Sequence, residues 1–362
     1  MRRLLEENTV PASVEFNESL LDSHLVVDVR TPLEYEEDHL PGAINVPLLS
    51  NEERVEIGTL YKQTGPKEAR IRGLELTAGR FPQIVHEIGE AAAGRPILVY
   101  CWRGGLRSKT VTSILELTGF DAVQLQGGYK TFRNRVIARF EPFQSPGPLL
   151  VIHGMTGIGK TTFILGLSSE EYSVIDLEGL ACHRGSAFGE LGLSQNLSQK
   201  RFETLLWDAF RKLPRGKPVI VEGESKRIGK VSLPGNFYEV MQDSVKVWCN
   251  ASLETRVERL IEEYGRSEYR QGMADALLRI RKKLGGEKYE EIAGYLTRWE
   301  MEPFMSELVR NYYDKVYYKN REWREDLSLS LEDYAKAERE LKAFLQIRKE
   351  LNASLKLYEP PL

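Results

Sequence analysis

A cysteine-containing loop at residues 101–108 constrains the fold of this chain more than any other feature. The loop reads Cys-Trp-Arg-Gly-Gly-Leu-Arg-Ser, follows the apolar run Ile97-Leu-Val-Tyr and precedes a helical pattern that begins at Lys109. A short apolar run, a glycine-rich turn and a helix form a strand–loop–helix unit, and such units build parallel sheets. We therefore predict an α/β fold with Cys101 at the carboxyl end of a strand.

The position of Cys101 favours its nucleophilic thiolate form. Backbone N–H groups of the glycine-rich turn can converge on the cysteine, and the next helix presents its positive N-terminal end to the same point. Arg107 adds a fixed charge that can bind an oxyanion. Cys101 and Arg107 are the predicted catalytic residues, and this interpretation requires the sulfur to face a pocket instead of the apolar core.

A second strand–loop–helix unit follows at residues 149–161. The apolar run Leu149-Leu-Val-Ile-His leads into Gly-Met-Thr-Gly-Ile-Gly-Lys-Thr, which is a complete Walker A pattern. In this setting, backbone N–H groups point at phosphate oxygens, the lysine reaches the terminal phosphates and the threonine can hold Mg²⁺. The predicted phosphate-binding residues of the loop are Gly154, Gly157, Gly159, Lys160 and Thr161, with Thr161 as the candidate Mg²⁺ ligand.

Length and patterning predict two domains. A chain of 362 residues can form two cores. Apolar runs alternate with helical patterns on both sides of a Pro/Gly-rich stretch at residues 141–148, and residues 52–80 form a polar helical insertion. The predicted fold is a parallel-sheet α/β domain at residues 12–140, a linker at 141–148, and a second parallel-sheet domain at 149–362 that has a helical C-terminal region.

Composition limits the setting in which the protein works. The net charge is −3, so RNA binding would have to come from local basic patches. The three cysteines, Cys101, Cys182 and Cys249, lie far apart, which argues against a disulfide framework and against zinc. We see no signal-peptide pattern and no apolar stretch long enough to cross a bilayer. We expect a cytoplasmic protein with no membrane partner.

Four further residues are candidates for acid–base or ligand-binding roles. Asp176 and Glu222 end two predicted strands, where either could support a metal, accept a proton, cap a helix or brace a loop. His183 and Arg184 follow in a loop of small residues, a composition that suits contact with a ligand. His183 could donate a proton or order this loop.

The segment at residues 251–260 is similar to the passage from strand to lid in P-loop kinases, where arginines close over phosphates. On a helix, Arg256 and Arg259 share one face, which could cover phosphates or face solvent. Basic clusters near residues 200, 211, 226 and 279 are candidates for contact with RNA, and Tyr264, Tyr269 and Trp299 could stack on an unpaired base.

The first domain resembles a rhodanese. The resemblance rests on residues 28–35, residues 39–47, the Cys101 loop and the Gly-Gly-Tyr sequence at 127–129. It implies a rhodanese-like parallel sheet with the cysteine in the active-site loop. Three polar residues of this pattern are expected to be structural: Asp28, Arg30 and Glu34.

The spacing of the cysteine loop departs from the usual rhodanese pattern. Small sulfur-transferring rhodaneses usually place an arginine five residues after the cysteine, whereas Arg107 is six residues after Cys101. This C-x5-R spacing is that of phosphatases that share the rhodanese fold. The wider loop suits a tetrahedral phosphorus oxyanion, so we predict that Cys101 meets a phosphate-like donor.

The two halves together are similar to the tRNA 2-selenouridine synthase family. The matches are residues 58–63, 101–108, 176–189 and 222–229. The resemblance implies a transferase that replaces the sulfur of 2-thiouridine at the wobble position of tRNA with selenium. Geranyl diphosphate would first alkylate the sulfur, and selenophosphate would then displace the S-geranyl group. tRNA, geranyl diphosphate and selenophosphate are the implied partners, with no tightly bound cofactor.

Three other functions stay open at this point. A P-loop kinase fused to a sulfurtransferase could use ATP to act on RNA or on a small molecule, and ATP hydrolysis that depends on Lys160 would favour it. A non-enzymatic RNA-binding module would keep tRNA modification intact in a Cys101→Ala variant. A C-x5-R phosphatase would need a proton donor, and no neighbouring acid stands out in the sequence.

Overall fold

The computed structural model describes residues 11–193, 197–315 and 323–356. The chain divides into two compact units. Unit 1 comprises Met1–Pro142 and Ser198–Asp208, and unit 2 comprises Phe143–Leu197 and Ala209–Leu362. None of the helices in the described ranges has the length and apolar character needed to span a membrane.

Unit 1 is built on a five-stranded, all-parallel sheet, as predicted. In sheet order its strands are β1 (Ser13–Val14), β5 (Ala122–Leu125), β4 (Ile97–Tyr100), β2 (Leu25–Asp28) and β3 (Ile44–Asn45). The strands β2 and β4 are buried along their whole length, which is typical of a parallel sheet covered by helices. The helices are α1 (Leu20–Ser23), α2 (Pro32–Glu37), α3 (Asn51–Gln63), α4 (Pro66–Thr77), α5 (Phe81–Ala92), α6 (Leu106–Leu117) and α7 (Gly128–Arg139).

A buried ion pair follows the central strand β2. Arg30 Nη2 lies 2.6 Å from Asp28 Oδ2, and the same nitrogen donates to the carbonyl of Asp38 at 2.6 Å. The side chains of Asp28 and Arg30 are 0% and 1% exposed. Removing either partner would leave an uncompensated buried charge, so this pair has the structural role that was expected of it.

Residues 198–208 pack in unit 1, although the predicted boundary placed everything after residue 149 in the second domain. They belong to helix α10 (Gln199–Arg211), where Thr204 Oγ1 donates to Asp38 Oδ2 at 2.8 Å. Trp207 is 1% exposed and packs edge-on against Phe132. The prediction missed this segment because its local pattern is that of any amphipathic helix, and only packing decides which core receives its apolar face.

Unit 2 is built on a second five-stranded, all-parallel sheet. In sheet order its strands are β12 (Leu327–Ser330), β11 (Val245–Asn250), β6 (Leu149–Gly154), β8 (Val219–Glu222) and β7 (Ser173–Ile175), and a separate antiparallel pair is formed by β9 (Arg227–Ile228) and β10 (Val231–Ser232). The helices are α8 (Lys160–Gly166), α9 (Leu177–Leu180), α11 (Gly235–Asp243), α12 (Leu253–Tyr264), α13 (Arg270–Leu284), α14 (Gly286–Arg298), α15 (Met301–Leu308) and α16 (Tyr334–Lys356). The predicted helical C-terminal region is confirmed.

The apolar runs of the sequence account for the central strands of both five-stranded sheets, but not for the short pair β9–β10 or for the edge strands β1 and β12. β1 has only two residues, which is too short for a pattern. β12 reads Leu-Ser-Leu-Ser at the edge of its sheet, where half of its side chains face solvent. Such edge strands lack the continuous apolar run that identified the central strands.

Candidate functional site

The sulfur of Cys101 lies at the carboxyl end of β4, in contact with the turn that follows. Its Sγ accepts hydrogen bonds from Gly105 N–H at 3.3 Å and from Ser108 Oγ at 3.1 Å. The side chain is only 2% exposed, and its other side packs in the apolar cluster that contains Val99 and Val111. The loop thus supplies the predicted donors, but the sulfur lies against the apolar core and does not face a pocket as the sequence interpretation required. Contact between Sγ and a substrate would need the turn to move.

Two residues hold the Cys101 loop in place: Gln124, which sequence reasoning did not single out, and Gly128, which belongs to the Gly-Gly-Tyr sequence of the rhodanese resemblance. Gln124 Nε2 donates to the Gly104 carbonyl at 2.9 Å and to Ser108 Oγ at 2.8 Å, which fixes the hydroxyl beside the sulfur. Gly128 has φ +57°, and a Cβ there would lie 2.2 Å from the Cys101 carbonyl oxygen. The glycine pair after β5 therefore lets α7 begin against the loop.

Arg107 is paired with a carboxylate of its own domain. Its Nη1 lies 2.6 Å from Glu34 Oε2, and both side chains are less than one-fifth exposed. Burial by itself raises the pKa of Glu34, but the hydrogen bond and charge of Arg107 outweigh it, so that pKa is lowered. An oxyanion at the loop would have to compete with Glu34 for this guanidinium.

The phosphate loop has the backbone conformation that its glycines predict. Gly157 and Gly159 have φ +82° and +80°, in the left-handed region, and a Cβ on Gly157 would come within 2.9 Å of the Arg256 carbonyl oxygen. Lys160 begins α8 and donates from Nζ to the Gly154 carbonyl at 3.2 Å. The loop borders a cavity of about 610 Å³, which is hereafter the P-loop cavity.

Three glutamates surround the start of α8. Thr161 Oγ1 lies 2.9 Å from Glu222 Oε1 and 3.2 Å from Glu178 Oε2, and the Glu178 N–H donates to Glu222 at 3.0 Å. Burial, together with repulsion from neighbouring carboxylates, raises the pKa of Glu222 to about 7 and that of Glu178 to about 8. Burial raises the pKa of Glu224 as well, and this residue shares a hydrogen bond with Glu178. The cluster can hold and release protons near neutral pH.

The oxygens of this cluster are of the type that Mg²⁺ prefers, because hydroxyl and carboxylate groups are hard ligands. Within residues 11–193, 197–315 and 323–356, however, no group of three His, Cys, Asp or Glu side chains has the arrangement of a metal site. The role of Thr161 as a Mg²⁺ ligand therefore stays a prediction.

Asp176 and His183 take the structural alternatives that the sequence left open. Asp176 caps α9, and its Oδ1 accepts the N–H of Gly179 at 2.7 Å. His183 Nδ1 accepts the N–H of Gly185 at 3.1 Å, which orders the loop. Burial lowers the pKa of His183. The carboxylate that reaches the P-loop cavity from this segment is Glu178, which sequence reasoning missed although it lies in the unusual segment at residues 176–189.

The three arginines of the predicted site differ in what they contact. Arg184 and Arg259 line the P-loop cavity, where Arg184 pairs with Glu263 at 2.5 Å and Arg259 donates to the Ile158 carbonyl at 2.6 Å. Arg256 is 3% exposed, and its guanidinium lies 2.6 Å from Asp314 Oδ1 and donates to the Thr156 carbonyl. Because these partners hold it against the back of the loop, we withdraw Arg256 from the proposed phosphate ligands.

Burial and internal contacts exclude some of the residues predicted to contact RNA and leave others exposed. Tyr264 is 4% exposed and part of an apolar core, so it cannot stack on a base as predicted. Lys200 pairs with Glu37, and Arg201 donates to the His39 carbonyl, which gives both residues a role inside unit 1. The exposed side chains of Arg281, Lys282 and Lys283 at the end of α13 keep the predicted basic patch on unit 2.

The raised pKa of Glu222 predicts how stability changes with pH. The folded protein holds the proton of this carboxyl up to about pH 7, whereas the unfolded chain releases it near pH 4.5. The contribution of the protonated Glu222 carboxyl to the free energy of unfolding is therefore complete below about pH 4.5 and is lost as the pH rises towards 7. In Glu222→Gln, the decrease in melting temperature between pH 5 and pH 8 should be smaller than in the wild type, as measured by circular dichroism. The exposed Glu258→Gln is the control, and an unchanged pH dependence in Glu222→Gln would contradict the assignment.

The fold and the site define a class of protein in which a rhodanese-like domain precedes a P-loop domain on one chain. The rhodanese-like domain model matches residues 14–135, and the model of the tRNA 2-selenouridine synthase AAA domain matches residues 147–350. The chain belongs to the tRNA 2-selenouridine synthase family and is therefore an enzyme.

Curated relatives cover most of the chain. A tRNA 2-selenouridine synthase of Nitrosomonas europaea is 35% identical over 345 residues, which cover 81% of this chain and 88% of the relative. A protein of the same name from Shewanella pealeana is 34% identical, with 80% of this chain and 83% of the relative covered. A third, from Cupriavidus pinatubonensis, is 33% identical and covers 86% of this chain and 92% of the relative.

Proposed function

We propose that this enzyme replaces the sulfur of 2-thiouridine with selenium at the wobble position of tRNA, through S-geranylation by geranyl diphosphate and displacement by selenium from selenophosphate. The names of its relatives support the overall reaction. The observation that supports the two-step route is that one chain carries two separate glycine-rich loops, each of which follows the central strand of its sheet. One encloses a cysteine sulfur that accepts two hydrogen bonds, and the other places a lysine at a cavity.

The P-loop cavity suits the first step. The sulfur of 2-thiouridine attacks C1 of the geranyl group, so that a C–S bond forms, the C–O bond to diphosphate breaks, and diphosphate departs with the electron pair. Lys160 and the loop N–H groups can stabilise the charge on that leaving group. Mg²⁺ held by Thr161 would add a further positive charge. N3 of the uridine loses its proton, and the buried pair Glu178 and Glu222 can accept it.

The Cys101 loop suits the second step. Selenium attacks C2 of the base, the C–Se bond forms, and the C–S bond breaks to release geranylthiolate. The P–Se bond then breaks, and water supplies the oxygen that replaces selenium on phosphorus. One proton of the water goes to geranylthiolate and the other returns to N3, which lost its proton in the first step, while phosphate leaves in the protonation state of the selenophosphate. This reaction balances without a bond between selenium and Cys101. We therefore assign Cys101, with the donors of Gly105 and Ser108, to holding the selenium donor once the turn has moved to open the sulfur.

Mass analysis of the wobble nucleoside tests the proposal. Purified enzyme receives thiolated tRNA with geranyl diphosphate, with selenophosphate, or with both. Geranyl diphosphate alone should give the S-geranyl nucleoside, selenophosphate alone should give no product, and the mixture should give 2-selenouridine and geranylthiol. An unchanged nucleoside in every mixture would reject the proposal, and ATP hydrolysis that depends on Lys160 would then favour the kinase fusion.

A further inference from the structure

Unit 1 contains an apolar cavity beside the Cys101 loop. The cavity has a volume of about 460 Å³ and lies between the helical insertion α3–α4 and the start of α6. We call it the insertion cavity. Its apolar lining includes Leu48, Leu49, Ile57, Leu74, Phe81 and Leu106. Its volume and lining are those of a site for a small apolar ligand.

Large apolar side chains are exposed around the mouth of this cavity. Leu74 is 59% exposed, Tyr61 is 58% exposed and Leu106 is 54% exposed, and all three line the cavity. Leaving such surface in water is unfavourable by about 25 cal/mol per Å². A cluster of exposed apolar groups at a concave site is typical of a binding surface.

The cavity is continuous with the Cys101 loop through two neighbouring residues. Leu106 and Arg107 both line it, and both lie between Gly105 and Ser108, which contact the cysteine sulfur. A group held in the cavity would therefore lie next to the place where we put the selenium donor. Binding the S-geranyl group there would place C2 of the base beside the selenium donor, and such positioning lowers the entropic part of the barrier.

We propose that the insertion cavity binds the geranyl chain of the S-geranylated wobble uridine during the selenium step. This inference rests on the proposed function and adds a site for the intermediate. The chain leaves as part of geranylthiol when the C–S bond breaks, and an apolar wall favours this apolar product.

Charge favours the intermediate over geranyl diphosphate as the occupant. Arg107 is already paired with Glu34 at 2.6 Å, so its charge is neutralised at this end of the cavity. A diphosphate carries several negative charges and needs unpaired cations, whereas a geranyl chain on a neutral thioether needs none. The exposed Arg70 also lines the cavity, where it can meet a phosphate of the RNA backbone that carries the chain.

The variant Leu74→Glu tests the site, because it places a charge where the chain would lie. Each step is assayed by itself, with thiolated tRNA and geranyl diphosphate for the first and with pre-geranylated tRNA and selenophosphate for the second. We expect kcat/KM of the second step to fall at least about tenfold, mainly through KM, with the first step unchanged. The matched control is Leu117→Glu, a leucine on α6 that is 80% exposed and does not line the cavity.

Other outcomes overturn the inference. A loss of the first step with an intact second step would mean that the cavity binds geranyl diphosphate, and no change in either step would mean that it binds neither. Leu106→Glu changes a different part of the lining and replaces Leu74→Glu if circular dichroism shows that the latter is unfolded. A wild-type enzyme that performs neither step would reject the proposed function instead, so the two failures are distinguishable.

Discussion

Cys101→Ala is expected to abolish selenium incorporation while leaving geranylation intact. The change removes the sulfur that accepts hydrogen bonds from Gly105 and Ser108, and with it the group that we assign to holding the selenium donor. We expect the rate of 2-selenouridine formation from pre-geranylated tRNA to fall at least about 100-fold, the scale of losing one preorganised polar group in an active site. Formation of the S-geranyl nucleoside should stay at the wild-type rate.

The other cysteines supply the controls for this variant. Cys249 lies in the core of unit 2, where burial raises the pKa of its thiol to about 12, so Cys249→Ala should leave the selenium step unchanged. Cys182→Ala is the control for a partly exposed thiol. Selenium incorporation that survives in Cys101→Ala would remove the cysteine from the mechanism and favour an RNA-binding role for unit 1.

Lys160→Ala is expected to abolish geranylation while leaving the selenium step intact. Lys160 lies at the P-loop cavity, where we place the diphosphate of geranyl diphosphate. Without this charge the departing diphosphate loses its main side-chain stabilisation, so geranylation should fall at least about 100-fold. Conversion of pre-geranylated tRNA by selenophosphate should continue, because its leaving group is geranylthiolate. Both rates are read from mass analysis of the nucleoside.

Lys217→Ala is the matched control for Lys160→Ala. Lys217 immediately precedes Pro218 and β8, at the amino end of the sheet, and donates to the carbonyl of Ser169 away from the P-loop. The control should retain both steps. An equal loss of both steps in Lys160→Ala would indicate a role in binding tRNA or in folding, and unchanged geranylation would place the diphosphate elsewhere.

The local sequence pattern was sufficient to predict the strands and turns that position both loops. The apolar runs before Cys101 and Gly154 became the central strands β4 and β6, and Gly104, Gly157 and Gly159 after them have the positive φ that glycine adopts without strain. These features depend on residues within a few positions of each other. The sequence by itself therefore determined the α/β fold, the two loops and the two candidate sites.

Tertiary structure decided which partner each polar side chain found. Arg107 meets Glu34 across 73 positions of sequence, and Arg256 meets Asp314 across 58, so neither pairing can be seen in a local pattern. The packing of residues 198–208 in unit 1 and the apolar insertion cavity depend likewise on how distant helices pack. The burial of individual side chains also depends on the packing of segments that are distant in sequence. It places the Cys101 sulfur inside its loop and raises the pKa values of Glu178 and Glu222, because only the packed fold removes water from these groups.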